Sequence, residues 1–299
     1  MMQWYLLALG SAVLNALASV TEKKTLFKEH AMEYATIISL FMFFFSLIFL
    51  GKADFDMSAQ VWTLLVILSL LDTVAFLYIT KAVRHMELSE SSPLFVFGPA
   101  ITALVAFLFL GEFLTLKQVG GMVGVTFGAY ILELKPMKDK RHEFLHPFNV
   151  MLQSKYIHYL FFGLVLYAIA AVIARYLLNT NNPHAIDPYT LLIITHFFVA
   201  LFYLVMMSFF HNGWRGVQHG MHNAGWLILV AGIFLFSSRV FLTMGLTIPV
   251  AEVALLLGVR RLSSLFSTIL GGEIFHDQHL SQKIVACVVM VISAFFLMV

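Results

Sequence analysis

The sequence predicts an all-α polytopic membrane protein, with ten transmembrane helices in two inverted five-helix repeats. Three observations predict it. First, ten apolar runs lie close to the roughly 20 residues that a helix needs to cross a bilayer core of about 30 Å. Second, 61% of the 299 residues are hydrophobic and only 11% are charged, against about 45–50% and about 25% in soluble domains. A soluble chain of this length would need a charged surface that these residues cannot supply. Third, displacing one half by 161 positions lays Gly111-Glu112 on Gly272-Glu273. Each half holds an odd number of runs, so the second must enter the membrane from the opposite side. The runs are long and do not alternate, which excludes a β-barrel.

The runs are Gln3–Thr21, Tyr34–Gly51, Val61–Thr80, Leu88–Gly111, Leu116–Leu134, Ile157–Leu178, Tyr189–Phe210, Gly225–Gly245, Ala251–Gly271 and Ser281–Val299. No basic residue precedes the first and no small-residue cleavage site follows it, so it reads as a membrane helix rather than a signal peptide. Breakers stand in the connectors: Asp54, Asp56, Asn179 to Pro183, Pro188, Asn212-Gly213 and Pro249. Pro93 and Pro99 interrupt the fourth run, and Gly121, Gly124 and Gly128 stud the fifth. The one long connector carries Lys135, Lys138, Lys140, Arg141 and Lys155. It divides the chain into a first repeat (1–134), a basic linker (135–155) and a second repeat (156–299). Cys287, the single cysteine, excludes an internal disulfide and sits in an apolar run.

Basic residues set the orientation. Lys52, Lys117 and Arg175 fall on the side of the amino terminus. Twelve fall on the other: Lys23, Lys24, Lys28, Lys81, Arg84, Lys135, Lys138, Lys140, Arg141, Lys155, Arg215 and Lys283. The bias puts the linker in the cytoplasm and both termini outside. Without a targeting extension, the expected location is the cell (plasma or inner) membrane.

The joint between the fourth and fifth runs reads Glu112-x-x-Thr115-x-x-Gln118-x-x-Gly121, with Pro99 thirteen positions upstream. With ten runs in two halves, this resembles the drug/metabolite transporter superfamily, specifically its EamA-like branch. The second half keeps Glu273 and departs at His276, His279 and Gln282, and at Arg260 in place of proline. The resemblance implies a central cavity between halves, alternating access and a small-molecule cargo such as amino acids, metabolites, drugs or nucleotide sugars. Some relatives keep both termini in the cytoplasm, against the charge bias here.

An ionisable residue inside a spanning helix is costly and is a functional candidate by default. Arg239, Arg260 and Arg261 would together cost about 8–10 kcal/mol if unpaired. Arg260 is a substrate-binding candidate, able to hold a carboxylate or phosphate through two parallel N–H groups; its structural alternative is a pair with Asp72 or Glu252. Asp72 is a candidate for substrate binding or for carrying a coupling proton, and its alternative is a pair with Arg239. Tyr78 and Arg239 complete the substrate-binding set. His196 is the second proton-coupling candidate, with packing as its alternative. Asn15 reads as an interhelical contact. Glu112, Glu273 and Pro99 are structural joints: each carboxylate is placed to cap the helix that follows it, and Pro99 offers a hinge.

The expected function is a secondary active transporter exporting a small polar metabolite of the amino-acid or organic-anion class. Lipid is its surroundings, and its assembly is a monomer or homodimer. No cofactor, metal or nucleic-acid partner is expected. A metal-dependent membrane enzyme using Glu273, His276 and His279 is the rival reading, and a non-transporting sensor or partner protein is the third.

Overall fold

The computed structural model describes residues 3–26, 30–85, 95, 97–133, 155–210, 213–248, 251–267 and 280–298. Among them every regular element is helical: α1 (Gln3–Leu26), α2 (Ala31–Ser46) with a 3-10 extension (Leu47–Lys52), α3 (Ala59–His85), α4 (Phe97–Leu110), α5 (Leu116–Glu133), α6 (Lys155–Leu178), α7 (Pro188–Phe210), α8 (Gly213–Leu246), α9 (Val253–Arg260) and α10 (Leu280–Met298). Six of these described helices are long and apolar enough to cross a membrane: α1, α2 with its extension, α3, α6, α7 and α8. Large side chains such as Phe109, Phe209 and Phe210 remain 75, 80 and 78% exposed, as a lipid-facing surface requires.

Helix ends are specified locally. His30 caps α2 by accepting the Met32 N–H on Nδ1. Asp187 caps α7 by accepting the N–H groups of Tyr189 and Thr190 at 2.9 and 2.8 Å, with Pro188 at the first helical position, where no donor is lost. Inside the helices, hydroxyls donate to carbonyls one turn back: Thr36 to Met32, Ser69 to Leu65, Thr73 to Ser69 and Thr195 to Leu191. Such bonds satisfy polar groups where water is absent.

Two helices depart furthest from the sequence expectation. The eighth run predicts a helix from Gly225, but α8 starts at Gly213 and runs for 34 residues. Gly213 has φ +55°, which allows a tight turn out of α7, and the polar stretch that follows is helical. His219 and His222 therefore lie on a helix rather than in a connector. The ninth run predicts one continuous helix. Instead α9 ends at Arg260, a turn follows at Arg261, and the chain is helical again over 262–267. The Arg261 N–H is shared between the Leu257 and Gly258 carbonyls at 3.2 and 3.1 Å, and Ser264 donates back to the Arg261 carbonyl at 3.0 Å. This is local tightening to 3-10 geometry. It coincides with two adjacent arginines directed to different helices.

The packing is pairwise. α1 lies on α8, α3 on α6, α2 on α7 and α8, α4 on α6 and α9, α3 on α7, α1 on α9, and α5 on α10. Small residues make the closest approaches. Ser11 and Ser238 clasp α1 to α8, each hydroxyl donating to the other's backbone carbonyl at 3.0 and 2.8 Å. Along α5, a side chain at Gly121 would meet the Ser293 carbonyl at 2.8 Å, one at Gly124 would run into the Ser293 hydroxyl, and one at Gly128 would meet Met290 Cγ at 2.6 Å. These glycines are therefore the contact surface for α10. Without a hydrophobic drive between helices in lipid, such close packing is what holds them together.

The joint after α4 is built differently from the expectation for Glu112. Gly111 turns the chain with φ +66°. Thr115 and Gln118 then cap α5 reciprocally: the Thr115 N–H donates to Gln118 Oε1 at 2.8 Å, and the Gln118 N–H to Thr115 Oγ1 at 3.3 Å. This is a capping box, and it leaves Glu112 unneeded at its own helix. The carboxylate instead crosses to the other half. It accepts from Arg175 Nε at 3.1 Å and from the Val253 N–H, at the start of α9, at 3.0 Å. Arg175 also donates to the Leu246 and Ile248 carbonyls at 2.6 and 3.0 Å, which closes the open end of α8. Arg175 is thus a buried structural cation and not the surface charge that its place near a run end suggests. Pro99 is buried within α4. Glu273, His276 and His279 lie outside the described residues, as do Pro93 and linker residues 135–154; Lys155, counted with the linker, is the first residue of α6.

Two outcomes follow from this packing, both read as thermal unfolding in detergent. Gly128→Leu overpacks the α5–α10 contact and costs about 1–3 kcal/mol, whereas Gly120→Ala, which meets nothing within 4 Å, leaves the midpoint unchanged or raised. Arg175→Met strands the Glu112 carboxylate and costs about 3–5 kcal/mol, and adding Glu112→Leu recovers part of that loss.

Candidate functional site

Asp72 lies midway along α3 and faces α8. Its carboxylate accepts from Arg239 Nη1 at 3.4 Å. The Arg239 guanidinium also stands 6.0 Å from the ring centre of Tyr167 on α6. The next residue, Thr73, is tied to α7 through its carbonyl, which accepts the Tyr203 hydroxyl at 2.7 Å. Four helices therefore meet around one ion pair whose charges cancel.

Arg260 is the last residue of α9 and reaches α1. Its Nη2 donates to Asn15 Oδ1 at 2.7 Å. Asn15 Nδ2 in turn reaches Ser263 Oγ at 3.3 Å, so one amide holds both sides of the tightened turn. Neither Asp72 nor Glu252 pairs with Arg260. Its buried Nε has no acceptor among the described residues. Arg261 is directed the other way, its guanidinium 5.9 Å from the Phe95 ring and packed where a side chain on Gly98 would sit. Position 98 is a glycine because an arginine from the other half occupies that space.

The remaining candidates are placed apart. His196 is buried on α7 with its ring centre 5.6 Å from that of Phe236, and its Nδ1 has no partner among the described residues. Tyr78 lies in the seam between α3 and α6, edge-on to Tyr159 and Phe162 at 5.1 Å from each. The structure thus brings Asp72 and Arg239 into one pair, sets Arg260 beside Asn15, and leaves Tyr78 in an aromatic cluster of its own. Among the described residues no three histidine, cysteine or acidic side chains gather to hold a metal.

Tyr167 and Glu22 escape sequence reasoning. Tyr167 is one of ten tyrosines in a chain rich in aromatics, and nothing local marks it. It lies within electrostatic reach of Arg239, Asp72, Glu22 and Arg260. Glu22, between Thr21 and Lys23, reads as the polar end of a helix, yet α1 continues through it to Leu26.

No curated protein matches the chain. Solved structures do: one crystal structure of a protein 14% identical in sequence superimposes with a TM-score of 0.72, covering 98% of this chain and 95% of that one. The helical arrangement is therefore a known fold along nearly the whole length. Residues 2–134 match the EamA-like transporter family, whose members are membrane transporters. Over this segment the chain is similar to the EamA-like transporter family, the resemblance that the joint at Glu112, Thr115, Gln118 and Gly121 carries.

Proposed function

We propose that the protein is a secondary active transporter that exports a small polar metabolite, of the amino-acid or organic-anion class, across the cell membrane. Ten spans in two inverted repeats would alternate access to a site between them. The packing supports this reading. Exchange each helix with the one five places on, and α1–α8 becomes α6–α3, α2–α8 becomes α7–α3, and α4–α6 becomes α9–α1. The pairs α2–α7, α4–α9 and α5–α10 map onto themselves. A two-fold relation between halves has this consequence, and such repeats place their site at the interface. The family match also ends at residue 134, where the first repeat would end. With Arg175 buried, two basic residues remain on the amino-terminal side, Lys52 and Lys117, which strengthens the case for a cytoplasmic linker.

One observation carries the choice of cargo. Among the described residues Arg239 is paired with Asp72, whereas Arg260 bonds the uncharged Asn15 and retains a buried N–H without an acceptor. A cation held by a neutral partner can exchange that partner for a carboxylate. Adding a proton at Asp72 would strand Arg239, so the proton-coupling role is weaker there than the sequence suggests.

The test is a thermal-shift screen of purified protein against amino acids, organic acids, sugars, nucleotides and cationic drugs, followed by counterflow in proteoliposomes. A ligand at ~100 times its dissociation constant stabilises the protein by about 2.7 kcal/mol. Carboxylate-bearing ligands are expected to stabilise the wild type and to lose that effect in Arg260→Ala; hits that survive the substitution would return Arg260 to a structural role. Asp72→Asn is expected to lower the unfolding midpoint more than Asp72→Asn combined with Arg239→Gln, since the single change leaves an unpaired cation.

A further inference from the structure

Glu22 and Arg260 are interior charges with no opposite charge in hydrogen-bond contact among the described residues, as is Glu252 at the start of α9, which lies by Glu112 and Arg175 and away from the Asn15 surface. The half-buried Glu22 makes no hydrogen bond or ion pair among the described residues, and Arg260 has no acidic partner there. Both belong to one polar stripe. On α1, Ser11 meets α8 and Asn15 meets Arg260 and Ser263 of the opposite half. Glu22 follows Asn15 by seven residues, which returns it to within about 20° of the same helix face, about 10.5 Å further along. It therefore faces the interior surface that Asn15 faces. The electrostatic neighbourhood agrees: Glu22 reaches Tyr167 on α6 and Tyr34 on α2, and Tyr167 also reaches Arg260. The Asp72–Arg239 pair, closed on itself, lies beside Tyr167.

Resting on the transport reading above, we propose that the substrate carries both a carboxylate and an ammonium group separated by several methylenes, with the carboxylate on Arg260 and the ammonium on Glu22. The charges argue for it. Among the described residues Asp72 is paired with Arg239, while Glu22 and Arg260 carry opposite charges with no opposite charge in contact, so a simple anion would engage Arg260 alone and a simple cation Glu22 alone. A zwitterion compensates both. In an α-amino acid the two charges sit on one carbon and reach one end of the stripe only. An amine at the far end of an alkyl chain reaches both ends and lays its methylenes along the Tyr167 region.

The experiment measures thermal stabilisation of the purified full chain by glycine, γ-aminobutyrate, ε-aminohexanoate, hexanoate and hexylamine, in the wild type and in Glu22→Gln. Affinity is expected to rise with the length of the amino acid and to exceed that for hexanoate. Glu22→Gln is expected to weaken ε-aminohexanoate by about tenfold or more, as the loss of a charge-assisted contact implies, and to leave hexanoate unchanged. Glycine binding as tightly as ε-aminohexanoate, no binding by any probe, or an affinity indifferent to Glu22→Gln would overturn the proposal. The length series on the wild type decides the matter even if the variant does not fold. Counterflow separates the two levels of inference. Length-graded binding without flux would sink the transport reading and spare this one; flux of hexanoate that ignores Glu22→Gln would do the reverse.

Discussion

Hydrocarbon cannot solvate a polar group, and the rest of this structure is arranged around that constraint. Each backbone donor or acceptor left open in the membrane costs several kcal/mol. Hydroxyls therefore fold back onto their own helices, and Ser11 and Ser238 bond to each other's backbone. Asp72 takes Arg239. The few buried side-chain groups left open among the described residues, such as Arg260 Nε, stand out because so much else is closed.

The same constraint explains why Glu112 crosses between halves. A helix beginning inside the bundle exposes N–H groups, and one ending there exposes carbonyls. Glu112 and Arg175 meet both needs at one place: the carboxylate takes the Val253 N–H, the guanidinium takes the Leu246 and Ile248 carbonyls, and the two bond to each other. The end of α8 and the start of α9 are thus held by residues from α6 and from the joint after α4. Three connections far apart in sequence depend on one ion pair.

Much of the fold is legible in the sequence because the membrane writes it in long apolar runs. The joint at Glu112, Thr115 and Gln118 is equally plain, since a threonine and a glutamine three apart specify their own local geometry. What the sequence hides is partnership. Nothing near residue 175 says that its arginine points inward, and nothing near residue 112 names α9 as the helix to be capped. The tightened turn at Arg261 is hidden for the same reason: an apolar window looks uniform, and nothing in it says that Arg260 turns to Asn15 while Arg261 turns to the Gly98–Phe95 surface. At the site, Asp72, Arg239 and Arg260 are visible as charges in apolar surroundings. Tyr167 and Glu22 are not, because an aromatic residue, or a carboxylate beside two lysines, is ordinary at those positions.

The length of α8 has a mechanical consequence. Its 34 residues span about 51 Å at 1.5 Å per residue. Even tilted by about 40°, the upper end of what membrane helices adopt, the rod would rise about 39 Å, still beyond a hydrocarbon core of about 30 Å. Part of it must stand among the lipid headgroups, and the polar stretch bearing Trp214, Arg215, His219 and His222 is suited to that layer. Because the segment is continuous with the helix that carries Arg239, any rocking of the core moves a rigid lever in the headgroup region, where lipid composition and surface charge can push back.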